Sequence, residues 1–196
     1  MNFKKYVLFL IIFAIFNTFC VKSEEFYTQK DVYDAKTQAF ALYNTSQKDE
    51  ALEILNKIPK KSLTEEMYLV IANIYEDKKD YNNAYKNLNT AIQINPKSYK
   101  AYYNLGLLAL KKNDNELAKT NFKKSIKFNR DFAYSYYNLG ICYLNEKDYK
   151  SAKTNFIKAI NLEPNKDFYY NLAYTYKQLG KEENAKKILE AYEKLK

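Results

Sequence analysis

NLGLLALKKNDNELAKTNFKKSI (residues 104–126) aligns without a gap on NLGICYLNEKDYKSAKTNFIKAI (residues 138–160), an offset of 34 residues. A period of that length is the mark of a repeat architecture. Carried along the chain, it produces a ladder of alanines at Ala51, Ala84, Ala118, Ala152 and Ala185. Within one period, Tyr102, Leu105, Gly106 and Ala109 stand at i, i+3, i+4 and i+7, as do Tyr136, Leu139, Gly140 and Tyr143. That spacing lines one face of an α-helix. Each period predicts two helices of about 14 residues, roughly 21 Å long. Helices so short are marginal alone, so they must bury that face against neighbours.

The scarce residues support this reading. With the ladder alanine as the twentieth position, Gly106 and Gly140 fall at the eighth and Gly180 at the turn between the two helices. Pro96 and Pro164 fall at the turn between repeats, where a missing N–H ends a helix. The fourth position is Tyr68, Tyr102, Tyr136 and Tyr169; the eleventh is Tyr75, Ala109, Tyr143 and Tyr176; the twenty-fourth is Leu88, Phe122, Phe156 and Leu189. This pattern resembles the tetratricopeptide repeat (TPR), a helix–turn–helix of the same length.

The resemblance implies an all-α fold: a tetratricopeptide-repeat solenoid of antiparallel helix pairs stacked into a right-handed superhelix. It covers about residues 30–196. Four repeats start at Glu65, Tyr99, Ala133 and Lys166 and fill residues 65–196, with the final helix as a solvent-facing cap. A degenerate helix pair spans residues 32–64, where Ala35 replaces the aromatic and Pro59 shortens the second helix. Residues 24–31 read as a linker.

In this family the first helices line a concave groove that holds protein segments. Carried over position by position, the resemblance implies a groove of Asn73, Tyr103, Asn104, Leu107, Tyr137, Asn138, Ile141, Tyr170, Asn171 and Tyr174. Tyrosine offers broad contact area with a polar tip, and asparagine can pair both ways with a peptide backbone. An extended peptide or a partner helix would suit such a strip. Asn104, Asn138 and Asn171 equally suit a local role, satisfying backbone or neighbouring helices. The Lys/Asn/Arg clamp by which some TPR domains grip a C-terminal carboxylate is not matched, because Leu69, Tyr134 and Asn138 stand where its cations would be.

Composition narrows the chemistry. The chain has 196 residues, no His, no Trp, two Cys and three Gly. Without His, neither a Ser-His-Asp system nor a Cys/His zinc site can be built, and three scattered glycines do not cradle a phosphate. The expectation is a non-enzyme with no cofactor and no metal. The formal net charge is +9, but Arg130 is the only arginine. Nucleic-acid readers favour arginine's planar donors, and Lys119, Lys123, Lys124, Lys127 and Arg130 spread around their helix, so no nucleic-acid partner is expected. Cys142 lacks a neighbouring base and reads as a packing residue.

The N-terminus differs from the rest. Lys4 and Lys5 precede YVLFLIIFAIF (residues 6–16), an apolar run suited to an export signal and short for a membrane span. Residues 1–23 therefore read as a signal peptide or N-terminal anchor. Cys20 stands where a bacterial lipoprotein carries its lipidated cysteine, although Phe19 departs from the small residue of that pattern. Lipidation at Cys20, cleavage near Val21–Ser23 and retention as a membrane anchor stay open. The expected location is the periplasm or cell envelope, and the expected role a protein–protein interaction scaffold. The alternative is a self-associating envelope module whose groove is filled by its own chain or a second copy, with oligomeric state open.

Overall fold

The computed structural model describes residues 28–195. The expected export signal, Cys20 and the start of the expected linker lie outside the described residues. Among those described, all regular structure is helical. The chain divides into two compact units, at Ser62 and Leu63.

The first unit holds α1 (Gln29–Asn44), α2 (Lys48–Lys57) and a 3-10 turn at Lys60–Ser62. Thr28 opens α1 with a capping box, its hydroxyl accepting from the Asp31 N–H while the Asp31 carboxylate accepts from the Thr28 N–H. Helix α2 stops at Lys57, ahead of Ile58 and Pro59, because the residue before proline is pushed to extended backbone.

The second unit is four helix pairs: α3 (Glu65–Asp77) with α4 (Tyr81–Ile94), α5 (Tyr99–Lys111) with α6 (Asn115–Phe128), α7 (Ala133–Asn145) with α8 (Tyr149–Leu162), and α9 (Lys166–Gln178) with α10 (Glu182–Glu193). Within this unit each helix packs on its neighbours in sequence, and α3 also touches α5. First helices therefore stack beside first helices, which is the solenoid.

Local chemistry sets each corner. Between the two helices of every pair, one residue takes the left-handed conformation: Lys79, Asn113, Lys147 and Gly180, with Ser46 at the equivalent place in the first unit. In the first three pairs of the second unit the next residue is an aspartate that caps the second helix. Asp80, Asp114 and Asp148 accept from the N–H groups of Asn83, Leu117 and Ser151. Between repeats, Asn95 and Asn129 leave helical backbone, and their side-chain oxygens accept from the N–H of Lys97 and Asp131. Glu65 ties the α3 start to the next corner, accepting from the Asn95 amide at 2.6 Å and from the Ser98 hydroxyl.

The core runs along the seam of each pair. Ala84, Ala118, Ala152 and Ala185, all buried, let the helices approach. Phe122 and Phe156 fill the seams of the second and third pairs with no exposed surface. Burying each such ring contributes roughly 1.5–3 kcal/mol. Among the described residues, no helix is long and apolar enough to cross a membrane.

Candidate interaction groove

The first helices α3, α5, α7 and α9 carry the ten groove residues that the sequence singles out. A hydrogen-bonded ladder joins most of them across repeats. The Asn104 amide donates to the Asn73 side-chain oxygen at 2.8 Å, Asn138 to the Tyr103 hydroxyl at 3.2 Å, and Asn171 to the Tyr137 hydroxyl at 3.0 Å. Asn138 and Asn171 also donate to the backbone carbonyls of Tyr134 and Asp167, one turn earlier on their own helices. Those carbonyl contacts fix which end of each amide carries the hydrogens. The side-chain oxygens of Asn104, Asn138 and Asn171 accept nothing from any described residue. The local role of the row is thus real, and an acceptor per repeat is left over.

The tyrosines are less free than their positions imply. Tyr103 packs edge-on against Phe132 at 5.0 Å and tilted against Phe122 at 5.9 Å. Tyr137 stacks on Phe168 at 4.5 Å and leans on Phe156. Both are partly buried, and burial pushes both phenols above their ordinary value, so their hydroxyls stay protonated. Leu107 and Ile141 are partly buried against the Phe122 and Phe156 clusters. Tyr170 and Tyr174 differ: they are 60% and 45% exposed. Among the described residues no first helix stands beyond α9 to supply the asparagine and phenylalanine that cover Tyr103 and Tyr137.

Ion pairs join successive repeats. Lys111 on α5 pairs with Glu76 on α3, which raises the lysine's pKa. Lys119 bridges Glu116 at 2.7 Å and Glu146 at 2.6 Å, which holds the Glu146 carboxyl below its ordinary value. Cys142 is fully buried, and desolvation pushes its thiol up to about 12, which makes it a poor nucleophile. No group of acidic or sulfur ligands that could hold a metal occurs among the described residues. Sequence reasoning placed no site on the other side of α5, where a cavity of about 310 Å³ opens beside Ala109. Its signal was present: alanine at an eleventh position that is tyrosine in the other three repeats.

A stack of helix pairs with a residue ladder along its first helices defines a helical-repeat binding scaffold. Tetratricopeptide-repeat models match residues 72–113, 99–132, 133–166 and 167–196, together spanning residues 72–196. The chain belongs to the tetratricopeptide repeat family, whose members are protein–protein interaction scaffolds. Its fold is similar to that of MamA (residues 41 to the end) from Desulfovibrio magneticus RS-1, at 18% identity and a TM-score of 0.73, covering 86% of this chain and 96% of that one. A crystal structure of MamA is 22% identical with a TM-score of 0.69, over 79% and 91% of the two chains. MamA AMB-1 is 17% identical with a TM-score of 0.67, over 86% and 93%. No curated protein matches the sequence.

Proposed function

We propose that this protein is a non-enzymatic, exported scaffold of the bacterial cell envelope that holds a segment of a partner protein along its first helices. The observation that carries the reading is the asparagine row. Each Nδ2 is committed to the fold, while each carbonyl oxygen is left to accept, one per repeat. The N–H groups of an extended backbone are the natural donors to such a row. Tyr170 and Tyr174 then offer exposed aromatic surface at one end of it. Export rests on Lys4, Lys5 and the apolar run of residues 6–16, with Cys20 as the candidate lipidation site. Lipidation or retention of that segment would hold the scaffold at a membrane.

Site-specific photo-crosslinking in cells tests the groove without unfolding it. A photoreactive residue at Tyr174 or Leu107 should capture one protein, and the same residue at Lys187 on α10 should not. Equal capture from all three positions overturns the groove. Fractionation of the same cells tests the location, and recovery in the cytosol overturns it.

A second reading has its own support. Tyr170 is open where Tyr103 and Tyr137 are covered by the next repeat, so a second copy could cap it. Sedimentation of the chain across a range of concentrations decides: a monomer throughout removes self-association.

A further inference from the structure

The eleventh position is tyrosine in three repeats and Ala109 in the other, and in the third repeat its ring fills the gap between the second helices α6 and α8. Tyr143 shows how. Its ring packs on the Phe122 and Phe156 clusters, with the Lys119 and Lys123 ammoniums 5.6 and 5.9 Å from its centroid. The equivalent gap, between α4 and α6, has only the Ala109 methyl to fill it. The cavity of about 310 Å³ lies there. It is at the lower end of small-molecule sites. It is separate from the groove: it uses Tyr102, Leu105 and Ala109 of α5 and its C-cap Lys112, whereas the groove uses Tyr103, Asn104 and Leu107 on the adjoining face.

The lining has a direction. Leu105, Ile92 and Ala109 are apolar, while Tyr85 and Leu117, 49% and 44% exposed, flank the opening. Asn121 lines the cavity with only 6% of its surface exposed. Its Nδ2 is spent on the Leu117 carbonyl at 2.9 Å, and its side-chain oxygen accepts from no described residue. The exposed Lys112 and Lys124 line it too; Lys124 is held 5.2 Å from the Tyr102 ring centroid. Neither lysine has an ion-pair partner among the described residues, and no carboxylate lines the cavity.

We propose that this cavity is a binding site for a small aromatic carboxylate that carries a hydrogen-bond donor on its ring. The ring takes the volume that Tyr143 takes in the next repeat. The donor meets the Asn121 oxygen, and the carboxylate meets Lys112 and Lys124. A charged hydrogen bond at the mouth selects the anion over a neutral isostere by about tenfold or more.

Equilibrium dialysis of the full chain against labelled 3-(4-hydroxyphenyl)propionate tests this. Saturable uptake of one molecule per chain is expected, with binding of the corresponding amide weaker by about tenfold. Ala109→Tyr restores the residue of the other repeats and should abolish uptake while the circular dichroism stays helical. Leu117→Glu, at an exposed position, places a carboxylate beside the opening and should weaken uptake even if Ala109→Tyr fails to fold. Absence of saturable uptake by the unmodified chain at millimolar ligand overturns the proposal, as does unchanged uptake by Leu117→Glu. Binding of a tripeptide ending in tyrosine, without binding of the free acid, overturns it in favour of a chain terminus as ligand.

Discussion

Gly106 lies directly behind the ring of Phe122, so that a Cβ on Gly106 would stand 2.5 Å from Phe122 Cε1. The third pair repeats the arrangement, with Gly140 behind Phe156 at 2.6 Å. Where the twenty-fourth position is leucine, the eighth is alanine: Ala72 shares a cluster with Leu88, and Ala173 takes the same register as Leu189. The two positions divide one fixed volume between them. A phenylalanine in the seam requires the facing Cβ to be absent.

Gly106→Ala should therefore destabilise the fold. Alanine gains up to about 1 kcal/mol in helix propensity over glycine. The overlap costs more, about 1–3 kcal/mol for an over-packed core, because Phe122 is itself wedged against Tyr103. The double variant Gly106→Ala with Phe122→Leu recreates the pairing of the first repeat and should recover part of the loss. Urea unfolding of the four proteins closes the cycle. A Gly106→Ala variant as stable as the original would show that the ring can step aside.

Gly180 makes the opposite case. Nothing lies within 4 Å of where its Cβ would be, but its φ is +67°. Its equivalents Lys79 and Lys147 adopt φ of 59° and 60° with a full side chain. Left-handed backbone costs a non-glycine residue roughly 1–2 kcal/mol, offset in part by the greater freedom of glycine in the unfolded chain. Lys79→Gly and Lys147→Gly should each raise stability by about 0.5–1 kcal/mol, read as a higher midpoint in thermal unfolding. Asn113→Gly should gain less, because asparagine tolerates this region. Gly180→Ala should lower the midpoint. Indifference at all four positions would mean that the corners relax away from the left-handed region.

The helix pairs were legible because period and punctuation are local: Ala118, Gly106 and the fourth-position tyrosines announce their places by spacing alone. The family followed from those residues. The division of labour among the tyrosines was not legible. The family resemblance placed Tyr103 and Tyr137 in the groove, yet both also hold repeats together through Phe132, Phe168 and the next asparagine. Those contacts depend on how far apart successive helices stand, which a one-dimensional pattern does not encode. The cavity at Ala109 was hidden for the same reason. An alanine in a tyrosine column is visible in sequence, but whether neighbours close over the gap is a matter of packing.

The ladder separates hydroxyl from ring. Tyr137→Phe removes the acceptor for Asn171, whose amide keeps its bond to the Asp167 carbonyl at 3.0 Å. The loss should stay near about 1 kcal/mol, the net value of an ordinary hydrogen bond. Tyr137→Ala removes the ring from between Phe156 and Phe168 and should cost about 3–5 kcal/mol. Chemical denaturation of both variants gives the two values. Equal losses would place the stabilisation in the hydroxyl and sink the packing account.

Capping carboxylates and partly buried phenols set opposite limits in pH. Asp80 and Asp148 cap α4 and α8, and their bonds from the backbone and side chains of Asn83 and Ser151 hold both carboxyls below the ordinary aspartate value. A depressed folded-state pKa means that the unfolded chain takes up the proton first. Their contribution is complete above the unfolded value and is lost as pH falls through the folded one. The buried phenols of Tyr103 and Tyr137 are shifted the other way, above 10.0, so the unfolded chain loses the proton first. Their contribution is complete below the unfolded value and is lost as pH rises beyond it. Thermal midpoints should therefore fall on the acid side through the carboxylate range and on the alkaline side above about pH 10. Asp80→Asn with Asp148→Asn keeps a good capping residue but removes the titration. That double variant should lose less stability than the original chain between about pH 6 and about pH 3. An identical acid limb in both proteins would move the acid sensitivity to other carboxylates, with Glu146, held down by Lys119, the next to test.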